Sequence, residues 1–388
     1  MTGIIALKRR TNILKRTVFF WVVILVFCYG TLILIWILQK QGEKVFVHTQ
    51  HNSIAIDSYS SSKKTAYYFV NEMVLERIKI NMHGILPPDE NSTEAFPTKG
   101  PFRIEAIIHQ IWIDKNVPEY FRTYVSSLKE NHLNYVYMFW TDEMAKKFVE
   151  VKFPIMLPFY VNYPRNLQRA DAVRYMILYE YGGVYADLDI VSLRPLDPIM
   201  RKYTCILSQE PHLHPIYYSN FYGSACNAFM ACRRHHPFMK NLVDNLPSFS
   251  VAGETVDSTG PRFVTILYRN FIADHPHLTR TDNEGVYLAP PEYFMPSSDH
   301  RLKNKMTNLC YMKVLTPLYK WACERFKMHG MGSPTNYTFT DHKWAHINWL
   351  AEVKRKSFII TDIVPDAKFY IQDTCDQKDT IVTKTPGS

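Results

Sequence analysis

Two acidic residues, Asp187 and Asp189, stand two positions apart in an otherwise apolar stretch of the chain. Residues 184–193 predict a β-strand, in which both carboxylates would point to the same face. Two neighbouring buried carboxylates repel each other, and one keeps its proton unless a cation lies between them. Oxygen ligands suit Mn²⁺ or Mg²⁺, which usually share their coordination with substrate phosphates. We therefore predict that Asp187 and Asp189 are catalytic metal ligands. The alternative is a solvated acidic pair on an edge strand.

A second polar pair, Asp171 and Arg174, lies three residues apart on the helix predicted before this strand, so both side chains share one face. Arg174 suits a phosphate group or the carboxylate of Asp171, and Asp171 can accept hydrogen bonds from sugar hydroxyls. An isolated pair of this kind would also suit a surface ion pair. Its place one helix before the acidic strand favours a substrate-binding role for both residues.

Strands and helices must position these side chains. Residues 106–113 and 135–140 predict buried strands, and helices are predicted to begin at Pro118 and after Asp142 as the N-cap residue. The helix that contains Asp171 should end at Gly182-Gly183, where glycine can adopt a left-handed backbone. The alternation of strands and helices indicates an α/β layered fold.

The central run resembles the signature of glycosyltransferase family 32, from Arg169 through Tyr181-Gly-Gly-Val-Tyr-Ala-Asp-Leu-Asp189 to Asp197. Ile108-His-Gln-Ile-Trp112, Asn227-Ala-Phe-Met230 and Thr259-Gly-Pro261 resemble further blocks of that family. The likeness covers roughly residues 103–350. The family includes inositol phosphoceramide mannosyltransferases and initiating α-1,6-mannosyltransferases.

This resemblance implies a GT-A type, Rossmann-like fold that binds a nucleotide sugar, and a retaining, metal-dependent transfer. It implies that Trp112 lies near the donor base, that Asp171 and Arg174 contact the donor sugar, and that Asp187 lies near the ribose and sugar. Asp189 would bind the metal directly.

A closing His- and Trp-rich motif of the family is similar to the stretch His342-Lys-Trp-Ala-His346-Ile-Asn-Trp349. From this likeness we take His346 as a further metal or diphosphate ligand and Trp349 as a donor contact.

The same likeness implies transfer of mannose from GDP-mannose to a hydroxyl of a glycolipid or glycan. Two alternatives stay open. One is an α-1,4-galactosyl- or N-acetylglucosaminyltransferase that uses a UDP-sugar. The other is a catalytically inactive lectin-like or scaffold protein of the Golgi. A metal-dependent phosphohydrolase would need a second group of His and Asp ligands, which the sequence does not suggest.

An uncharged run at residues 17–38 matches the length of a membrane-spanning helix, roughly 20 residues. A signal peptide is the alternative, but the run is too long and lacks a cleavage site. Basic residues precede it, so the positive-inside rule places the body of the chain in the lumen. We predict a single-pass type II protein of the Golgi membrane. Its parts are a cytoplasmic tail (1–16), a signal-anchor helix (17–38), a lumenal stem (39–102), a catalytic domain (103–370) and a C-terminal tail (371–388).

The overall charge gives no sign of a nucleic-acid partner. The formal net charge is +9, and five basic residues before the uncharged run leave only about +4 for the remainder. Six cysteines follow that run, and an oxidising lumen would permit disulfides whose pairing stays open. The sequons at Asn91 and Asn336 are also compatible with a lumenal body.

Overall fold

The computed structural model describes residues 96–219, 223–250, 252, 254–312, 315, 317–328, 332–345 and 356–370. All of them belong to one unit of the chain, Asp57–Ser388. The predicted cytoplasmic tail, signal-anchor helix and C-terminal tail lie outside these residues, as do most of the stem, His346 and Trp349. Within the described residues, no helix combines the length and the apolar character that crossing a membrane requires.

The centre of the described unit is a seven-stranded sheet, and two further pairs of strands flank it. The strands are β1 (Ile107–Trp112), β2 (Asn116–Pro118), β3 (Val136–Thr141), β4 (Gly183–Ala186), β5 (Ile190–Ser192), β6 (Cys205–Gln209), β7 (Ala225–Cys232), β8 (Tyr287–Ala289), β9 (Thr340–His342), β10 (Ser357–Ile359) and β11 (Lys368–Phe369). The order in the large sheet is β11-β3-β1-β4-β7-β6-β8, and the smaller pairs are β2 with β10 and β5 with β9.

Strand β7 runs opposite to both of its neighbours in the large sheet. It pairs antiparallel with β4 and with β6, whereas the other pairings in that sheet are parallel. Because β4 and β6 both oppose β7, they run in the same direction. Their carboxyl ends therefore lie at the same edge of the sheet, on either side of the amino end of β7.

Helices cover the sheet, and they bury its strands. They are α1 (Arg122–Asn131), α2 (Asp142–Lys152), α3 (Leu157–Asn162), α4 (Asn166–Tyr181), α5 (Asp197–Lys202), α6 (Leu213–Ser219), α7 (Pro237–Phe249), α8 (Thr255–Ser258), α9 (Pro261–Asp274), α10 (Pro291–Phe294), α11 (His300–Leu309) and α12 (Pro317–Met328). Every residue of β7 is buried, which is typical of a strand covered on both faces. The prediction of an α/β fold is confirmed, with a mostly parallel sheet.

The predicted strands at 106–113 and 135–140 are confirmed as β1 and β3. The helix predicted from Pro118 begins as a 3-10 helix, Glu119–Phe121, and continues as α1 from Arg122, while Pro118 itself ends β2 and pairs with Ser357. The N-cap predicted for the next helix was wrong. The N-cap of α2 is Thr141 rather than Asp142, since the Thr141 Oγ1 accepts a hydrogen bond of 3.2 Å from the backbone N–H of Met144.

The single strand predicted for residues 184–193 was also wrong. Strand β4 ends at Ala186 and β5 begins at Ile190, and the backbone N–H of Ile190 donates to the carbonyl of Asp187 to close a turn between them. The predicted strand is interrupted here because its first and last residues pair with different strands. β4 pairs within the large sheet, and β5 pairs with the distant β9. The two aspartates consequently lie in a turn instead of along a strand.

Two disulfides are present in the described residues. Cys205–Cys232 joins β6 to β7, and Cys310–Cys323 joins the end of α11 to α12. The pairing that the sequence left open is thereby resolved for four cysteines. Cys226 is buried and unpaired.

Candidate active site

Asp187 follows β4 at the carboxyl edge of the large sheet. Its backbone N–H donates to the carbonyl of Ala228 on β7, at 2.8 Å. Its Oδ1 accepts a hydrogen bond of 2.5 Å from the hydroxyl of Tyr185 and lies 3.4 Å from a guanidinium nitrogen of Arg174. The side chain keeps 31% of its surface exposed, so a ligand can reach it.

Asp189 is held by the segment that begins with β9. The Nε2 of His342 lies 3.1 Å from Oδ1 of Asp189, and the backbone N–H of Ala345 donates to Oδ2 at 2.7 Å. The backbone N–H of Lys343 donates to the Asp189 carbonyl at 3.0 Å. The β5–β9 pairing therefore fixes the spacing between this carboxylate and the imidazole.

Asp187, Asp189 and His342 together form the candidate metal cluster. One ligand atom from each residue lies within 4.8 Å of the other two, and among the described residues these three form the group suited to hold a metal ion. Two carboxylates and one imidazole suit Mn²⁺, and they leave positions for phosphate oxygens. The Nδ1 of His342 is buried and has no hydrogen-bond partner among the described residues. The residues thus fit a divalent cation.

The pKa values in the cluster diverge. Burial raises the pKa of Asp187, the charge of Asp189 adds to that effect, and Arg174 opposes it. Burial would also raise the pKa of Asp189, but the charge and hydrogen bond of His342 outweigh it, and the pKa is lowered. Burial would lower the pKa of His342, yet Asp189 raises it. Asp189 and a protonated His342 therefore form an ion pair when no metal is bound.

Arg174 and Asp171 lie side by side beneath the cluster on α4, as predicted. A guanidinium nitrogen of Arg174 lies 2.8 Å from Oδ1 of Asp171, and both side chains are buried. Arg174 also donates to the Asn227 carbonyl at 2.7 Å, and its guanidinium lies 4.3 Å from the ring centre of Tyr185. Most of the hydrogen-bonding capacity of Arg174 is therefore spent on the protein itself, and in this structure it orients Asp187.

Asn227 and Thr259, which the sequence analysis named only as parts of blocks that resemble the family, also contact Asp171. The amide of Asn227 donates to Asp171 Oδ1 at 2.9 Å, and the hydroxyl of Thr259 donates to Asp171 Oδ2 at 3.1 Å. Burial raises the pKa of Asp171 to about 7, and Arg174 opposes the shift. We call Arg174, Asp171, Tyr185, Asn227 and Thr259 the Arg174 network.

A β-bulge brings Asn227 into this network. Leu207 of β6 pairs with Met230, but the next residue, Ser208, pairs with Cys226, so three residues of β7 lie between the two pairings. Bulges commonly redirect side chains beside functional sites. The Ser208 hydroxyl stabilises the bulge by donating to the carbonyls of Phe229 at 2.9 Å and Cys226 at 3.3 Å.

The turn from α4 into β4 depends on Gly182. Its φ is +67°, and a Cβ atom there would lie 2.5 Å from the backbone nitrogen of Arg234. The prediction that glycine ends this helix is confirmed. The tight turn allows the helix residues Asp171 and Arg174 to lie next to the end of the following strand.

The structure places Trp112 at the carboxyl end of β1, which neighbours β4 in the sheet. Its ring packs against Phe121, with ring centres 5.8 Å apart. Trp112 thus lies at the expected edge of the sheet without joining the Arg174 network. Its predicted role near a donor base stays a prediction.

His342 is the functional residue that the sequence reasoning missed. The stretch from His342 to Trp349 was singled out, but His346 was chosen from it as the ligand. His342 belongs to β9, and its pairing with β5 brings it to Asp189. His346 and Trp349 lie outside the described residues, so their roles stay predictions. The presence of two histidines in this motif was the signal by which the sequence could have pointed to His342.

The chain is similar in sequence to a glycosyltransferase family and to several mannosyltransferases. Residues 118–206 match the family described as "Glycosyltransferase sugar-binding region containing DXD motif". The chain is 38% identical over 183 residues to inositol phosphoceramide mannosyltransferase 1 of Schizosaccharomyces pombe, which covers 45% of this chain and 54% of the relative. It is 32% identical over 209 residues to inositol phosphoceramide mannosyltransferase 3 of the same organism, and this alignment covers 53% of this chain and 55% of the relative. The chain spans about half the length of the curated relatives it matches.

Among solved structures, the PaToxG glycosyltransferase matches over 72% of this chain and 100% of its own, with 17% identity and a TM-score of 0.36. So distant a likeness carries no conclusion about this chain. The matched family region contains both aspartates of the candidate metal cluster, together with Asp171 and Arg174. Residues 118–206 are therefore similar to the sugar-binding region of the DXD glycosyltransferases, which confirms the resemblance to glycosyltransferase family 32.

Proposed function

We propose that this chain is a retaining, metal-dependent glycosyltransferase with a GT-A type fold. The observation that carries the proposal is the convergence of Asp187, Asp189 and His342 within 4.8 Å at the carboxyl edge of the sheet. When bound there, Mn²⁺ or Mg²⁺ would stabilise the negative charge of a departing nucleoside diphosphate. A turn that carries two carboxylates beside a buried imidazole supports metal binding better than it supports a purely structural role for these residues.

The chain's own residues would divide the work. Asp187, Asp189 and His342 would hold the cation, and Tyr185 and Arg174 orient the Asp187 carboxylate by direct contact. Asp171 in turn holds Arg174 in place. These buried contacts fix the ligands before substrate arrives, so little reorganisation is needed when charge develops.

For the donor we propose GDP-mannose, and for the acceptor a hydroxyl of a glycolipid or glycan. The support is the similarity to proteins named inositol phosphoceramide mannosyltransferases. The acceptor hydroxyl would attack the anomeric carbon from the face that the nucleoside diphosphate leaves. The bond to the phosphate oxygen breaks, and that departing phosphate accepts the hydroxyl proton.

We further propose that the chain is a single-pass type II protein of the Golgi membrane with a lumenal catalytic domain. The uncharged run at residues 17–38 and its basic flank support this topology. The disulfides Cys205–Cys232 and Cys310–Cys323 suit an oxidising compartment. Protease protection in sealed microsomes tests it: a C-terminal tag digested without detergent would contradict the proposal.

The activity is tested with the full-length chain purified in detergent and loaded with Mn²⁺. It is offered GDP-mannose, UDP-galactose or UDP-N-acetylglucosamine, each with inositol phosphoceramide or a mannose-terminated glycan. We expect transfer from GDP-mannose alone, and its loss with EDTA or in Asp189→Asn. Transfer only from a UDP-sugar would overturn the choice of donor. Hydrolysis of phosphate esters without transfer, or no turnover of any donor, would overturn the proposed function.

A further inference from the structure

Glu210 is a carboxylate at the same sheet edge as the candidate metal cluster, and the proposed reaction leaves it without a role. It directly follows β6, just as Asp187 directly follows β4. Its backbone N–H donates to the carbonyl of Ser224, and that of Asp187 donates to Ala228, so the two residues flank opposite sides of β7. Two inter-strand spacings, about 10 Å in all, separate β4 from β6. This span is comparable to the distance between a diphosphate and the far side of an attached sugar.

The Glu210 side chain is 15% exposed, so it is mostly buried but open on one side. Within the described residues, its nearest ionisable neighbour is His214, whose Nδ1 lies 3.9 Å from Oε2, beyond hydrogen-bond distance. No hydrogen-bond donor among those residues reaches the carboxylate. This contrasts with Asp171, whose two oxygens accept from Asn227 and Thr259 and contact Arg174.

A carboxylate in this setting lacks the partners that usually offset its burial. Burial raises the pKa of Glu210 to about 7, and the positive fields of His342 and Arg262 only partly oppose the shift. An unpaired, mostly buried acceptor costs free energy until a donor reaches it. A ligand that brings a hydrogen-bond donor to Glu210 would therefore be stabilised.

The charge of Glu210 also limits what that ligand can be. A nucleoside diphosphate is anionic, so an ionised carboxylate repels it, and its place is with the cation on the β4 side. A sugar or an inositol ring is neutral at its hydroxyls and can donate to a carboxylate. The ring of Trp344 adds an aromatic surface on the same side, since its centre lies 4.6 Å from that of His214 and 4.2 Å from that of His342.

We propose that Glu210 is a substrate-binding residue that accepts a hydrogen bond from a sugar-type hydroxyl, on the side of β7 away from Asp187. The hydroxyl belongs either to the transferred sugar of the donor or to the acceptor. This inference rests on the proposed glycosyltransferase function, and it extends the site beyond the metal cluster to the part that recognises hydroxyl groups.

The test compares Glu210→Gln with Glu180→Gln in the full-length, Mn²⁺-loaded enzyme. Glu180 is a matched control because its side chain is 16% exposed and it pairs with Lys152 and Arg234 at the end of α4, before β4 begins. We measure KM and kcat for donor and acceptor separately, the Kd for GDP, and the melting temperature. Glu210→Asp serves as a second variant that keeps the charge.

We expect Glu210→Gln to lower kcat/KM by about 10- to 100-fold, the effect of losing one hydrogen bond to a charged group. The Kd for GDP should stay within about twofold, and Glu180→Gln should match the wild type. A rise in KM for the donor alone assigns the hydroxyl to the transferred sugar, and a rise for the acceptor alone assigns it to the acceptor. Glu210→Asp should recover part of the loss.

Unchanged kcat/KM in Glu210→Gln would overturn the inference while an active wild type keeps the proposed function intact. A parallel loss of GDP affinity would also overturn it, because Glu210 would then act through the metal cluster. An equal loss in Glu180→Gln would assign the effect to the fold. If the wild type transfers no sugar, the proposed function itself fails, which the wild-type assay alone reveals.

Discussion

The imidazole of His342 lies 3.1 Å from the carboxylate of Asp189, although 153 residues separate them in the chain. This contact defines the candidate metal cluster more sharply than the two aspartates alone. It gives the cluster a nitrogen ligand and an acid with a lowered pKa. It also makes the two aspartates distinguishable by experiment.

Asp189→Asn should destabilise the metal-free chain, whereas Asp187→Asn should not. Repulsion between two carboxylates, considered from the sequence, predicts that Asp189→Asn keeps or gains thermal stability. In the structure Asp189 has a lowered pKa because its charged form is held by His342 and Ala345, so its loss should cost about 1–3 kcal/mol. Asp187, whose pKa is raised, should tolerate the change or gain stability. Urea unfolding in EDTA measures both, and equal shifts would contradict this assignment. Both variants should lose Mn²⁺-dependent donor binding.

His342→Ala should weaken Mn²⁺ binding by at least about tenfold, since it removes one of three protein ligands. His275→Gln is the control, because His275 is partly buried near the end of α9 and bonds the Phe271 carbonyl at 2.8 Å. Isothermal titration with Mn²⁺ and GDP is the measurement. His346→Ala, titrated in parallel, decides between the two histidines of the closing motif. Full Mn²⁺ affinity in His342→Ala would exclude His342 as a ligand.

The affinity for Mn²⁺ should fall as the pH is lowered, because a protonated imidazole cannot bind a metal. The pKa of His342 is raised above 6.5 by Asp189, Asp187 and Asp341, despite burial. The decline should therefore begin above pH 6.5 and approach about tenfold per pH unit below the raised pKa. Titrations with Mn²⁺ between about pH 5.5 and about 8.5 measure this decline in affinity. A flat profile would show that no imidazole takes part.

The metal-free stability has the opposite dependence on pH. Because the pKa of His342 is raised on folding, its ion pair with Asp189 contributes fully below the unfolded pKa of about 6.5 and is lost as the pH rises through the folded value. Urea unfolding in EDTA at several pH values measures this trend, and His342→Gln should remove it.

Arg174→Met should destabilise the fold by about 3–5 kcal/mol, because it leaves the buried Asp171 without its charge partner. Adding Asp171→Asn should recover part of that loss, and urea unfolding of both variants measures it. Arg165→Met is the matched control. Its pair with Glu254 is 3.0 Å long but largely exposed, so its loss should cost at most about 1 kcal/mol. Equal losses at both arginines would contradict a buried network.

Asn336 should carry an N-linked glycan if the catalytic domain is lumenal, as we propose. Its side chain is exposed in a turn, so the modified residue requires no change in the fold. Treatment of the protein from a eukaryotic host with an endoglycosidase should increase its mobility, and Asn336→Gln should reduce the shift. A chain without any glycan at Asn336 would count against a lumenal domain.

Local patterns in the sequence were sufficient for the parts of the site that are close in the chain. Asp171 and Arg174 share a helical face because they are three residues apart, and Gly182 ends that helix because its backbone is left-handed. The spacing of Asp187 and Asp189 pointed to two members of the candidate metal cluster, even though the single predicted strand is absent. A turn and a strand can both bring two carboxylates to one cation.

Contacts between distant segments were beyond reach of the same reasoning. Strand β4 ends at Ala186 because β5 pairs with β9. The local propensities of residues 184–193 do not indicate that a pairing partner lies near residue 340. Asn227 reaches Asp171 only through the bulge in β7, a change of register that alternation of residues does not reveal. Each missed feature depends on strand pairing over a long range.

The pairing of β5 with β9 has a consequence for how the protein is made. Translation delivers β5 early, whereas β9 leaves the ribosome only after β6, β7 and β8 and most of the helices. Closing so long a loop is entropically costly and awaits the synthesis of nearly the whole domain. A chain that stops before Thr340 contains both aspartates but lacks the partner that holds them. The candidate metal cluster is therefore completed late in biosynthesis, and prematurely terminated products lack its imidazole.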